Sequence, residues 1–521
     1  MEDKMLLAVA VAVAVLLMVL GGKLIKSSLA AKTTTKPNNL PPGPWTLPVI
    51  GSLHHLIGSP LLFRVLRRLA QKHGPLMALR LGEVPAVVAS SAEAAQAIMK
   101  TFDIAFADRF TPATFATFTY GATDLIMSPY GERWRHLRKI AVTEMLTAAR
   151  VQSFKHIRQA EVARFMQGLA ASAAAGDAVD FSRVVAKLIN DTFVTECVGS
   201  RCKYQDEYLD AMHSAIRLTS GMTMADLYPS SRIMQMLGTA PRKALACRQR
   251  IHRILEQIIK EKKEEAMAMA ECRGDDNTPV HESFVAVLLR LQKEASMPIS
   301  LTNDTIIALM FDMLLAGSDT SSTTLNWAMT ELIRSPAAMA KAQTEVREAF
   351  KGKNIITEDD ISGSRLCYLE QVFKETLRLH PTSPLLIPRR CRETCQIMGY
   401  DIPKGTTVFV NVWAIGRDPE YWDDAEEFKP ERFDNNNNLD FRGTNFEFLP
   451  FGAGRRMCPG MNLGLANMEL ALASLLFHFD WKLPKGIEPQ DVDTWEAVGL
   501  AASKKTSLML HPITFVAPAV V

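Results

Sequence analysis

The stretch Phe451-Gly-Ala-Gly-Arg-Arg-Met-Cys-Pro-Gly460 constrains this chain more than any other. Three glycines and a proline within ten residues exclude regular structure and allow tight turns close to a bulky neighbour. A helical stretch, Met461 to Phe477, follows at once. Cys458 therefore stands where backbone N–H groups and a positive dipole end favour a thiolate. Arg456 adds a cation that can meet an anionic group. A lone cysteine in such a turn is ordinarily a small buried hydrophobe. Which reading holds depends on the companions this loop has elsewhere.

The full spacing Phe451-x-x-Gly454-x-Arg456-x-Cys458-x-Gly460 resembles the haem-ligand loop of cytochromes P450. The resemblance implies that Cys458 is the axial thiolate of a haem b iron, with Phe451 and Arg456 beside the cofactor. Three further sets of residues answer to the same family. Trp134 and Arg138 are four apart on a basic helix and share a face. Alone they would read as a solvated surface, but the resemblance makes them holders of a haem propionate, which needs charge-assisted donors when buried.

The second set lies on a helix expected from about Asn303 to Arg334, opened by Thr302 or Asn303 and stopped before Pro336. Its flanks are apolar, and its middle reads Ala316-Gly-Ser-Asp-Thr-Ser-Ser-Thr-Thr324. Such a polar block in a buried helix must be satisfied internally or by water, and hydroxyls there can open the local hydrogen-bond ladder. It resembles the oxygen-binding segment of the family, which implies that Asp319 and Thr320 relay protons. The third set, Glu375, Arg378 and Arg432, resembles the family's Glu-x-x-Arg plus Pro-Glu-Arg-Phe network. Its implied role is structural.

Other expectations are local. Leu76–Gly82 and Ala86–Ser90 read as strands joined at Gly82, and Thr407–Trp413 as another. Phe102–Tyr120 reads as a loop, and Ala268–Val280 as a polar loop. By resemblance the first of these loops covers the haem, making Phe115 and Phe118 substrate candidates. Leu314, Ala316, Leu385, Leu386 and Val498 join them, and Arg389 faces a propionate. The set is largely apolar, which suits a lipophilic substrate.

Composition settles the remaining classes. The chain has 521 residues, 48% hydrophobic and 22% charged, and is globular by that measure. A net charge of +3 gives no argument for nucleic acid. Eight cysteines without a CxxC pair suit neither a disulfide scaffold nor a zinc site, and point to a reducing compartment. Met5–Gly22 is an uncharged apolar run at the lower limit for a spanning helix. Acidic residues precede it and lysines follow, which predicts a cytosolic body. Leu40–Gly51, with four prolines, reads as a stiff spacer.

The motifs run in family order from Pro41 to Gly460. The expected fold is thus the cytochrome P450 fold, mainly α with small β-sheets, behind a single N-terminal transmembrane helix. Residues 1–22 are the anchor, 23–51 the basic linker and hinge, and 52–521 the catalytic domain. The hinge and Phe106-Ala-Asp-Arg109 resemble plant microsomal members. Lys404–Ile415 resembles grass enzymes that oxidise sesquiterpenes and diterpenes in defence. The resemblance implies a monooxygenase at the endoplasmic reticulum membrane, using dioxygen and electrons from NADPH through cytochrome P450 reductase. Phenylpropanoid or fatty-acid substrates stay open, as do a peroxide-rearranging enzyme, a non-catalytic haem sensor and a haem-free membrane scaffold.

Overall fold

One long helix sets the architecture. Asn303–Arg334 is 32 residues long, about 48 Å at the α-helical rise. The Thr302 hydroxyl opens it by accepting from the Thr305 N–H at 3.2 Å; Ser335-Pro336 ends it. Residues on either side of the polar block are buried, Ile306–Leu309 and Leu325–Met329 among them. Against this rod pack the helices Phe181–Val198, Cys367–Leu379 and Met461–His478. Most of its buried apolar side chains belong to the largest cluster of buried apolar residues among the described residues.

These relations come from a computed structural model that describes residues 39–519, apart from 58, 60, 202, 203, 220, 273–281, 295–300, 435–438, 498 and 500. The expected anchor at Met5–Gly22, the linker up to residue 38 and Val498 lie outside the described residues. Among the described residues no helix is long and apolar enough to cross a membrane.

A five-stranded sheet sits beside the helices. Its strands run Leu76–Leu81, Val84–Ala89, Thr407–Val410, Arg389–Arg390 and Asp108–Arg109 in spatial order. The first pair is the expected hairpin, turned at Gly82 with φ +63°. The last two strands set Arg109 directly opposite Arg389. Like charges so placed repel one another, and this pair bears on the site described below.

Four boundaries differ from expectation, each for a local reason. The strand at Thr407 stops at Val410 because Asn411 caps a helical turn, its Oδ1 accepting from Ala414 N at 3.1 Å. Ala113–Phe118, expected as loop, is a short helix whose first N–H donates to Asp226 Oδ1 at 2.6 Å. The helix from Ala240 runs on to Cys272, into the stretch read as polar loop. Finally, the proline-rich stretch is no free spacer. Ala78 N donates to Pro42 O at 2.9 Å, and Gly51 bridges Leu81, so the chain is docked on the sheet from Pro42 onward.

Candidate functional site

The cysteine loop is closed by its own backbone. Cys458 N donates to Phe451 O at 3.0 Å and Met457 N to Gly454 O at 3.0 Å. Gly454 has φ +69°, and a Cβ there would lie 2.3 Å from Met99 O. No other residue fits. Asp103, buried and absent from the sequence-based set, moors the loop: its Oδ2 accepts from Arg455 N at 3.0 Å, and its Oδ1 from Arg389 Nη1 at 2.9 Å. Phe451 packs edge-on to Phe441 at 5.5 Å.

Cys458 opens onto a cavity whose opposite wall is the polar block of the long helix, with Ala316, Gly317 and Thr320 among its lining. Although Cys458 is exposed to the open cavity, the protein packed around it pushes the thiol above its ordinary value by desolvation; the Gly460 and Met461 amides and Arg138 pull it back in part. The helix start thus acts in the expected direction without prevailing. A metal ion bound to sulfur would supply the missing compensation and deprotonate it outright.

Gly317 is small because Phe193 occupies the space beside it: a Cβ would fall 2.3 Å from that ring. Gly317→Ala should therefore cost about 1–3 kcal/mol by overpacking, and Phe193→Leu should restore part of the loss. Thermal unfolding of the single and double variants measures this, and an unchanged midpoint for Gly317→Ala would show that the ring yields freely. Thr320 Oγ1 donates to Ala316 O at 2.7 Å. Its proton is thereby committed, while its lone pairs remain available toward the cavity. Asp319, on the same turn, is not among the cavity's lining residues. Burial alone pushes its carboxyl up to about 6.

Next to the cysteine loop, outside the cavity's lining residues, stand four arginines. Arg138 Nη2 donates to Met457 O at 2.7 Å, Arg456 Nε to Ala107 O at 2.7 Å and Arg109 Nη1 to Ile387 O at 2.6 Å. Arg389 adds Ala453 O at 2.7 Å to its bond with Asp103. The Trp134 indole N–H donates to Leu125 O at 3.0 Å, and its ring lies 4.3 Å from the Arg456 guanidinium and 5.5 Å from that of Arg138. Trp134 thus supports the cations by its face, while its N–H serves the neighbouring backbone. Burial and mutual repulsion hold Arg456 down at about 9 and push Arg109 well below its ordinary value. Arg456 Nη1 is buried with no partner among the described residues.

A cation cluster that lowers its own pKa values and leaves a buried donor unmet calls for a multiply charged anion. A soft thiol and an apolar cavity stand beside it. Together they fit haem, whose iron the sulfur could take and whose carboxylates the arginines could meet.

The substrate candidates divide. Ala316 lines the cavity. Phe118 instead stacks on Phe311 at 5.7 Å, and Leu314 is buried in the main core. Phe115 is buried on its short helix. Leu385 packs between two smaller apolar clusters, and Leu386, at φ +50°, packs against a third. None of these five is among the lining residues. Leu125, Ile126 and Asp312 are, and sequence reasoning had assigned them nothing. A lone acid in an otherwise apolar helix flank was the available signal for Asp312.

Behind the loop, Glu375 accepts from Arg378 Nε at 2.7 Å and Arg432 Nε at 2.9 Å, wholly buried. These three residues do not reach the cavity lining. They brace the segment that leads to it.

Comparison with known proteins agrees with this geometry. The family model described as cytochrome P450 matches residues 41–510. The chain is 61% identical over 519 residues to dolabradiene monooxygenase and 60% identical over 518 residues to zealexin A1 synthase, both of Zea mays. It is 53% identical over 522 residues to ent-cassadiene hydroxylase of Oryza sativa subsp. japonica. In each case 99% of both chains is covered.

Proposed function

The chain belongs to the cytochrome P450 family, and from that premise we propose that it hydroxylates a sesquiterpene or diterpene hydrocarbon in plant specialised metabolism. As a P450 monooxygenase it uses thiolate-ligated haem, dioxygen and reductase-derived electrons. The observation that carries the reading is the meeting of the Cys458 thiol and the Thr320 hydroxyl on one cavity. Bound haem supplies dioxygen binding and activation there, the thiolate favouring O–O cleavage. Arg138 and Arg456 would hold its carboxylates, with Arg389 and Trp134 supporting them and Phe451 alongside.

The chain's own share of the chemistry is proton handling and exclusion of water. Thr320 Oγ1, its hydrogen engaged by Ala316 O, orients a water by accepting from it. Asp319, at about 6, can take and release a proton near neutral pH. Its folded value lies above the ordinary 3.8, so the folded state binds more protons between those values and stability falls as pH rises across that window. Asp319→Asn should flatten the slope of thermal midpoint against pH between about 4 and 6 and slow turnover. An unaltered pH profile of turnover in this variant would remove Asp319 from the relay.

The choice of substrate follows the relatives, two of whose names carry a diene. Full-length protein supplied with reductase and NADPH should oxidise terpene hydrocarbons in preference to fatty acids or phenylpropanoids. If product analysis shows no terpene consumed, the substrate assignment falls while the monooxygenase stands. The same reading places the body on the cytosolic face of the endoplasmic reticulum, held by Met5–Gly22. Removal of that run should weaken membrane association in cell fractionation.

A further inference from the structure

Two acidic side chains meet at the wall of the cavity, Asp312 among its lining residues and Asp124 outside them, where neither has an acidic or catalytic neighbour in sequence to announce it. Asp124 is 0% and Asp312 2% exposed. Asp312 Oδ2 accepts from Leu125 N at 2.8 Å and Ile126 N at 3.3 Å, and Asp124 Oδ2 accepts from Met127 N at 3.1 Å. The two carboxyls contact each other. Asp124 Oδ1 is buried and meets no donor among the described residues. A carboxylate oxygen in that position is satisfied if the facing carboxyl brings a hydrogen. Two ionised carboxylates so placed would repel strongly, and such pairs keep one proton. Burial pushes both groups upward, Asp312 the further. The charged groups facing the pair are Arg109 from the sheet and Arg456 from the cysteine loop; Arg133 binds the adjoining Thr123 O at 3.4 Å and Thr305 Oγ1 at 3.2 Å. These cations favour one remaining negative charge.

The bonds around the pair give it a task. Leu125 and Ile126 line the cavity together with Asp312. Leu125 O takes the Trp134 indole N–H, and Ile126 O takes Arg109 Nε at 3.3 Å. The short segment is thus tied to the arginine cluster on one side and to the long helix on the other. Asp312 stands four residues before Ala316 and eight before Thr320, on the same helical stripe. We propose that Asp124 and Asp312 share one proton, and that this proton clasps the 124–127 segment to the long helix and so fixes Leu125 and Ile126 in the substrate-facing wall. Both are positioning residues. The second half rests on the monooxygenase reading; the first does not.

Asparagine is the informative replacement, because its amide can donate where the shared proton was and keep the clasp. In full-length holoenzyme, infrared spectra should show a deuterium-sensitive protonated-carboxyl band that disappears in both Asp124→Asn and Asp312→Asn. In an Asp319→Asn background the thermal midpoint should still fall as pH rises above the ordinary carboxylate range, and adding Asp124→Asn should reduce that fall. With a terpene hydrocarbon as probe, Asp124→Asn should keep the wild-type product ratio. Asp124→Ala should shift it and lower product formed per NADPH by on the order of tenfold, as misplaced substrates do. Absence of the band in wild type overturns the shared proton. An unchanged product ratio in Asp124→Ala overturns the clasp, as would Asp124→Asn disturbing products as strongly as Asp124→Ala. If no substrate is oxidised by wild type, the monooxygenase reading fails, and the infrared result still decides the proton.

Discussion

Glu375→Ala should unfold this protein more readily than any other single side-chain truncation in the region behind the cysteine loop, by about 3–5 kcal/mol. The carboxylate is fully buried and accepts from Arg378 Nε at 2.7 Å and Nη2 at 2.8 Å, Arg432 Nε at 2.9 Å and Lys429 N at 2.8 Å. Its removal leaves the Arg378 guanidinium buried without its counter-charge. That guanidinium also holds Gly416 O and Ala425 O at 2.7 Å each and Glu427 O at 3.0 Å. One ion pair therefore fastens Cys367–Leu379 to the turns between Gly416 and Arg432. Arg378→Lys should be nearly as harmful, since an ammonium cannot reach three carbonyls and a carboxylate in the same plane. Urea unfolding of haem-loaded and haem-free protein reads the effect. A Glu375→Ala midpoint within experimental scatter of wild type would mean that the network contributes no net stability.

This network was legible because its members occur in two short motifs, and helical spacing puts Glu375 and Arg378 on one face. The long helix was legible for a similar reason: its cap, its apolar flanks and the stopping proline are all local. What escaped were partners distant in sequence that no recognisable motif joins. Asp103 reads as an unremarked acid at the end of a short helix, yet it moors Arg389 and Arg455. Asp124 and Asp312 make sense only when folded together. The apolar substrate candidates show the opposite difficulty. Phe118, Leu314 and Leu385 have the chemistry of a lipophilic wall, but that is also the chemistry of a core, and each packs against other apolar side chains. Apolar character in a sequence cannot distinguish a surface against substrate from one against Phe311. A cavity wall shows itself only where helices fail to close, as they do between Ala316–Thr320 and the cysteine loop.

Cys458→Ser should abolish activity while leaving the fold largely in place, and this contrast separates it from Glu375→Ala. The loop around Cys458 is held by backbone and by Asp103: Cys458 N reaches Phe451 O, Met457 N reaches Gly454 O, and Arg455 N reaches Asp103. None of these bonds uses the sulfur. A hydroxyl can occupy the same place, sharing the Gly460 and Met461 amides that partly offset the cost of charge on the thiol. What it cannot do is ionise there, since serine is a far weaker acid and its oxygen is a poorer donor to a soft metal centre. The four-arginine cluster is untouched by the substitution, so the cofactor's carboxylates should still be met and haem retained at reduced occupancy. The reduced, carbon-monoxide-bound spectrum should then lose the band of thiolate-ligated haem, and NADPH-dependent product formation should cease. Arg456→Ala makes the reciprocal case. It should lower haem occupancy while the thiolate band survives in the fraction that binds, because Arg138 and Arg389, which lie outside the loop, remain and the sulfur itself is untouched. If Cys458→Ser kept the thiolate band, another of the chain's cysteines would have to be the ligand. Among the described residues no other cysteine lines this cavity, so that result would overturn the site itself.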